Sequence, residues 1–531
     1  MSIDDKILAK NSKKTEQQKT ISKSNKNNNN QILDKDNKIL NFSYYEEGIV
    51  TSSVDGIVLV FGLQNAFIGE KIEIIANKDR TNVIAIGIVM NLDEASVSIV
   101  LINGKAEEGD YAIKTNKKFT VKIGKGILGR VLNGQGDPID GLGEIKGELI
   151  DTNIEQNAAG IIDRQSVCEP LYTGIKIIDA LIPIGKGQRE LIIGDRQTGK
   201  STIAIDTVLN QKNNKNKPVY CIYVFIGQRQ DEVKRLHAKL IESGSMAYTT
   251  IISASSSESA MSQFLAPYVG TAIGEYFMYN GDDALIIYDD LSKHAASYRE
   301  ISLLLKRPPG REAYPGDVFY IHSKLLERAA KLSDKMGGGS LTALPIIETK
   351  GGDVSGYIST NVISITDGQI ILDMDLFNKG IKPAINIGLS VSRVGSSAQT
   401  KTMAQIAGSV KVSLAQYYEI AQFAQFGSDL DEQTQNLLNN GRKIVYSICQ
   451  KQNSPIKAEY QILILFLAIQ KYLDKYTENE IDKIQSKLFQ YFEYCETYPN
   501  FYEKILSGKK LDKDQLESMH IFMKNFLLDI Q

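Results

Sequence analysis

Leu191-Ile192-Ile193-Gly194-Asp195-Arg196-Gln197-Thr198-Gly199-Lys200-Ser201-Thr202 is a short apolar run that breaks into a glycine-bounded loop and continues into Ile203-Ala204-Ile205. The order reads as strand, phosphate loop, helix. Gly194 and Gly199 let the backbone turn tightly, so that the successive NH groups of Asp195, Arg196, Gln197, Thr198 and Thr202 face an anion. Lys200 adds a point charge for the outer phosphates, and the Ser201 hydroxyl is placed to ligate Mg2+. A Gly-rich turn with a surface lysine would share the spacing but not the flanks. Here a buried strand precedes the loop, an apolar helix follows it, and Asp289 closes a later apolar run, Ala284-Leu285-Ile286-Ile287-Tyr288. An acid at that strand end would hold Mg2+ through water beside the loop. The same position also suits a turn or a helix cap, and Asp290 is there to take that part.

The remaining composition is that of an ordinary globular protein. At 531 residues the chain is too long for one core. A net charge of -2 gives no reason to expect nucleic acid or an anionic membrane as a partner. Four cysteines (Cys168, Cys221, Cys449, Cys495) and four histidines (His237, His294, His322, His520) are scattered without disulfide or metal-ligand spacing. No run of about eighteen apolar residues is present, so membrane association is expected only through partners.

Residues 1–43, rich in Lys, Asn and Ser and including Asn27-Asn28-Asn29-Asn30, read as a disordered polar tail with a short contact helix at 32–40. The tail has no Arg and carries Asp4, Asp5 and Glu16, which argues against a cleaved import signal. Residues 44–119 alternate with period two in short segments punctuated by Gly and Asp-Gly, predicting a β-barrel of five or six strands. From 120 to 398 strand and helix patterns alternate, predicting an α/β domain with a mostly parallel sheet; strands are expected at 191–193, 219–226, 250–253, 284–288, 343–348 and 361–365. Its ligand would lie at the carboxyl ends of those strands. Residues 399–531 turn helical throughout and predict an α-helical bundle.

Four longer motifs carry a resemblance. Lys186-Gly187-Gln188-Arg189-Glu190 leads into the loop, and Tyr288-Asp289-Asp290-Leu291-Ser292-Lys293 closes the later strand. Arg307-Pro308-Pro309-Gly310-Arg311-Glu312-Ala313-Tyr314-Pro315-Gly316-Asp317 and Pro383-Ala384-Ile385-Asn386-Ile387-Gly388-Leu389-Ser390-Val391-Ser392-Arg393-Val394-Gly395 complete the set. Together, and in this order, they resemble the alpha subunits of F-type ATP synthases from about residue 44 to the end. The resemblance implies a RecA-like central domain that binds Mg-ATP or Mg-ADP without turnover. It also implies three alpha chains alternating with three beta chains around a gamma stalk, with peripheral-stalk subunits at the N-terminal end and no nucleic acid.

Residue roles follow from the same resemblance. Gln228, in Phe225-Ile226-Gly227-Gln228-Arg229, falls where the catalytic beta chain carries the Glu that polarises water, and an amide cannot take up the proton. Arg393 falls where the alpha chain extends an arginine into the neighbouring beta chain's pocket to offset transition-state charge; an interface salt bridge is the plainer alternative. Gln450 and Gln452, with Phe377 and Pro383, are implied near the adenine, although glutamines before a Pro are also routine turn residues. Lys382 replaces the family's usual Arg, removing a planar stacking group, and Ser201 replaces the usual Thr with the hydroxyl kept. A self-sufficient hexameric motor of helicase or export type would call for a carboxylate at Gln228, and so would the catalytic beta chain. Asn, Ile and Lys bias together with Gly337-Gly338-Gly339-Ser340-Leu341-Thr342-Ala343-Leu344-Pro345 point to the matrix side of a mitochondrial inner membrane, with a bacterial plasma membrane as the alternative.

Overall fold

The computed structural model describes residues 31–33, 39–41, 47–214, 217–424, 431–493 and 501–529, in two compact units divided between Phe119 and Thr120. In the first unit Glu47–Val54, Ile57–Gly62, Glu70–Ala76, Asp79–Leu92, Ser96–Gly104 and Tyr111–Lys118 close into a six-stranded barrel. Closure removes free strand edges, and the inward residues of the alternation, among them Val58, Val60, Ile72, Ile74, Val89 and Ile99, fill the interior. Part of the expected tail is ordered differently from the contact helix at 32–40. Gln31–Leu33 pairs antiparallel with Ile39–Asn41. Two short apolar pairs flanking a polar link suit a hairpin, and Ile32 and Ile39 favour extended backbone. The rest of that tail lies outside the described residues.

The second unit is built on an eight-stranded sheet. Its order is Val131–Asn133, Thr249–Ser255, Val219–Gln228, Asp283–Asp289, Ser340–Thr349, Leu191–Asp195, Gly368–Leu372 and Val391–Ser392. Every pairing is parallel except the last. The central strands are buried along their whole length, which is why they read as continuous apolar runs. Helices Lys200–Asn210, Gln230–Ser243, Ala260–Tyr279 and Leu291–Leu304 make the crossovers. One expected strand is a helix: 361–365 belongs to Tyr357–Ile365. Ile358, Val362 and Ile365 bury one helical face, whereas a strand would have alternated. The strand of that region follows at Gly368–Leu372.

The C-terminal helices include Lys401–Ala424, Glu432–Ile448, Ala458–Ile469, Glu478–Glu493 and Lys513–Asp529. Met403, Ile406 and Val410 join Ile177, Leu181 and Ile192 in one apolar cluster that continues to Phe526, so the bundle and the sheet share a core. Lys176 crosses the same junction: its Nζ donates to Ser447 O at 2.6 Å and to Gln485 Oε1 at 2.8 Å, both neutral acceptors. Burial pulls its pKa down to about 8. Between pH 8 and the ordinary lysine value the folded chain therefore binds fewer protons than the unfolded chain, and this group's contribution to stability rises with pH across that window. In urea titrations of both proteins from pH 7.5 to 10, wild type should gain on Lys176→Met by up to about 3 kcal/mol. A gap independent of pH would show that the amine is not perturbed.

Candidate nucleotide site

The loop between Asp195 and Lys200 is shaped by its two glycines. Gly199 adopts φ 103° immediately before the helix Lys200–Asn210, a conformation that side chains rarely tolerate. A Cβ on Gly194 would stand 2.9 Å from both the Cβ and the carbonyl oxygen of Leu372 on the neighbouring strand. Lys200 is buried and its Nζ donates to the carbonyls of Gly194 (2.9 Å) and Asp195 (2.6 Å), arching over the loop. Burial holds its pKa below the usual lysine value against the attraction of Glu348, Asp290, Asp289 and Asp195. Thr198 closes the turn by donating from Oγ1 to Asp195 O at 2.8 Å. Asp195 turns its carboxylate away, accepting from Thr349 Oγ1 at 2.7 Å and Gly352 N at 2.9 Å. Arg196 and Gln197 are exposed on the cavity rim.

Asp289 ends its strand with the next-but-one relation to the loop strand, and its carboxylate gathers three donors. Ser201 Oγ reaches Oδ2 at 2.8 Å, the Tyr223 hydroxyl reaches the same oxygen at 2.7 Å, and Gln228 Nε2 reaches Oδ1 at 3.0 Å. Gln228 is fixed from its other end by Lys293 Nζ, 2.9 Å from Oε1. The capping role open to Asp289 falls to Asp290, whose Oδ1 accepts from Lys293 N at 2.8 Å at the start of Leu291–Leu304. These groups line a cavity of about 680 Å³ that also meets Glu232 and Glu348. No group of three or more His, Cys, Asp or Glu suited to a metal occurs among the described residues. The donor set present, a hydroxyl beside a carboxylate, fits a Mg2+ ion that keeps waters and shares phosphate oxygens with its ligand.

Beyond Gly199 and Thr202, which border both spaces, lies a second cavity of about 470 Å³. Phe377, Pro383, Gln450 and Gln452 all line it, together with Ile175, Ile203 and Asp206. Gln450 is committed to the backbone: Nε2 donates to Gly174 O and Ser454 O, each at 2.8 Å, and Oε1 accepts from Lys176 N. It shapes the wall, while Gln452 stays exposed. Lys382 does not leave that wall open, since its Nζ sits 4.4 Å from the Phe377 ring centroid.

Arg393 borders neither space. It follows the edge strand Val391–Ser392, is exposed, and lines a separate recess of about 410 Å³ with Arg164, Arg189, Lys331 and Asp367. Its backbone NH is tied to Asp367 O at 2.9 Å. Beneath it, burial holds the Glu190 carboxyl well above the usual carboxylate range, with Asp367 adding to the shift and Arg393 opposing it.

Sequence reasoning did not single out Tyr223, Lys293 or Asp206 as site residues. Tyr223 lies in an apolar run and reads as core. Lys293 appeared only inside a motif, and Asp206 shows itself only by falling one helical turn after Thr202.

Two family models match within the second unit. Residues 174–392 match the model of the ATP synthase alpha/beta family, nucleotide-binding domain, and 399–526 match the ATP synthase alpha/beta chain, C terminal domain. A protein of Ehrlichia ruminantium (strain Gardel) named ATP synthase subunit alpha is 54% identical over 476 residues, covering 88% of this chain and 91% of its own length. The chain belongs to the ATP synthase alpha-subunit family. Proteins of the same name from Rickettsia bellii (50% identical; 91% of this chain, 94% of the relative) and Neorickettsia sennetsu (56%; 81% and 84%) are similar to it over comparable spans. Family membership agrees with the barrel, the mostly parallel sheet and the helical bundle described above. Among the described residues of this alpha-family chain, no helix is long and apolar enough to cross a membrane.

Lys200→Ala should weaken Mg-ATP binding by the full chain about 10- to 100-fold, the scale of one charge-assisted phosphate contact. Equilibrium dialysis with a circular dichroism control for folding would measure it. Unchanged affinity would move the phosphate site away from this loop.

Proposed function

We propose that this chain is the non-catalytic, nucleotide-holding alpha subunit of the catalytic head of a rotary, proton-translocating ATP synthase. It would bind Mg-ATP or Mg-ADP between Gly194 and Thr202, with Ser201 and Asp289 on the metal side, and lend Arg393 to the site of an adjacent beta chain. In this reading three such chains alternate with three beta chains around a gamma stalk. Peripheral-stalk subunits stand at the N-terminal end, and the membrane is met only through the complex. The relatives named above are bacterial, which favours the cytoplasmic face of a bacterial plasma membrane and lends no support to the mitochondrial placement.

The observation that carries the proposal is the state of Gln228. Its Nε2 donates to Asp289 and its Oε1 accepts from Lys293, so the amide is held in place. An amide in that position can hold a water but cannot accept its proton, so cleavage in this cavity lacks its base. Bound Mg2+ would supply charge neutralisation of the phosphates, and the chain's own part is to hold and orient. The position of Arg393 supports the second half: an exposed arginine just after the sheet's edge strand lines a recess that shares no residue with this chain's loop.

Glu348 favours a second reading, because it lines the phosphate-side cavity and stands exposed at the end of the strand Ser340–Thr349. If it served as a base, the chain would be a self-sufficient motor. Purified full chain should bind Mg-ATP without sustained turnover; turnover on the order of tens per second, lost in Glu348→Gln, would establish the motor instead. In the assembled complex Arg393→Ala should lower hydrolysis by about 10³-fold or more while nucleotide still binds this chain. Full activity in that variant would remove the role in trans. Gln228→Glu should leave the isolated chain inactive, since the new carboxylate would pair with Lys293 and repel Asp289; multi-turnover hydrolysis by it would contradict the assignment.

A further inference from the structure

Glu190 is a buried acid that none of the readings above employs. It immediately precedes the loop strand, is fully buried, and its Oε1 has no hydrogen-bond partner. An apolar side chain would fill that place at lower cost, so a carboxyl kept there with one oxygen unpaired points to a task for the other. That other oxygen, Oε2, accepts from Gln188 Nε2 at 2.7 Å. The Gln188 amide is buried as well and fixed at its far end, where Oε1 accepts from Gly185 N at 2.8 Å. With the carboxyl orienting it, the same Nε2 also donates to Ser392 Oγ at 3.2 Å.

Ser392 Oγ is in turn a junction: it donates to Pro183 O at 2.7 Å and accepts from Gly395 N at 3.3 Å. Arg393 therefore lies in a short arch whose two ends meet at one hydroxyl, and its own NH is held by Asp367 O at 2.9 Å. Across the edge pairing Ser392 stands opposite Gly368. A Cβ at Gly368 would run into the Glu190 carboxyl and Val391 O, so the acid packs directly on the backbone that carries the edge strand.

We propose that Glu190, acting through Gln188 and Ser392, is a positioning residue that fixes the direction in which Arg393 leaves the sheet edge. The inference rests on the assignment of Arg393 to a neighbouring chain's site and deepens it. A long side chain that must meet a phosphoryl group in another chain gains from a clamped Cα, because a misplacement of about 1 Å can cost about 10²-fold in rate. Without the acceptor at Glu190 the Gln188 amide is free to turn, Ser392 loses a donor, and the arch that carries the guanidinium loosens.

The test is steady-state ATP hydrolysis by the assembled complex carrying the wild-type chain, Glu190→Leu, Arg393→Ala or both. Glu190→Leu should lower kcat by about 10- to 100-fold with the KM for ATP unchanged, since a misdirected cation weakens the transition state and not substrate binding. In the Arg393→Ala background the same change should have no further effect, because the side chain it directs is gone. Glu190→Gln keeps an acceptor for Gln188 and should hold kcat near the wild-type value. A merely structural role would lower kcat by the same factor with or without Arg393. That additive result, wild-type kcat in Glu190→Leu, or equal losses in the Leu and Gln variants overturns the inference while leaving the role of Arg393 standing. Full activity in Arg393→Ala removes that role and this inference with it. Should Glu190→Leu fail to assemble, Gln188→Met takes its place in the same cycle: a loss confined to complexes that retain Arg393 sustains the inference, and an additive loss or none ends it.

Discussion

Asp289 is the point at which the loop, two strands and a helix are tied together. Its carboxylate accepts from Ser201 at the start of the loop helix, from Tyr223 within the strand Val219–Gln228 and from Gln228 at that strand's end. Burial and the proximity of Asp289 push the Asp290 pKa up to about 7. Two adjacent acids thus divide their work by environment: Asp289 is surrounded by donors at the cavity, and Asp290 caps a helix. Burial, with the Asp289 carboxylate adding to it, raises the Tyr223 phenol well above its ordinary value and keeps it a donor. Any ligand entering the cavity meets a fixed negative group beside a hydroxyl and two lysines, an arrangement suited to a metal-bound polyphosphate.

The parallel sheet explains why this convergence is possible. Residues at the carboxyl ends of neighbouring parallel strands emerge on one side, so Asp195, Gln228, Asp289 and Glu348 come together although they span more than 150 positions of sequence. The last strand runs the other way. Val391–Ser392 is antiparallel at the sheet's edge and delivers Arg393 to a recess with Arg189 and Asp367 instead. A cation needed by the chain's own phosphates would be poorly served there.

Much of this was legible along the chain because the relevant signals are local. The loop glycines, the run before Asp289 and the helical periodicity after residue 399 each depend on contacts within a few residues or one face. Where reading failed, local signals were ambiguous. The residues 361–365 contain the β-branched apolar residues of a strand, yet Ile358 and Val362 complete a helical face. Around 32–40, two apolar pairs served a hairpin as well as a helix. Gln450 reads either as a residue near the adenine or as a turn residue; it lines the cavity, and its amide bonds go to Gly174, Ser454 and Lys176, which no local signal shows.

The sequence by itself determined the order of domains, the phosphate loop and the family, because glycine spacing, periodicity and long motifs are written in consecutive residues. Tertiary structure alone decided which polar groups have hydrogen-bond partners and which are buried without one. Hydrogen-bond saturation depends on partners from distant segments, and no spacing rule reveals that Gln450 is occupied while one oxygen of Asp206 is not.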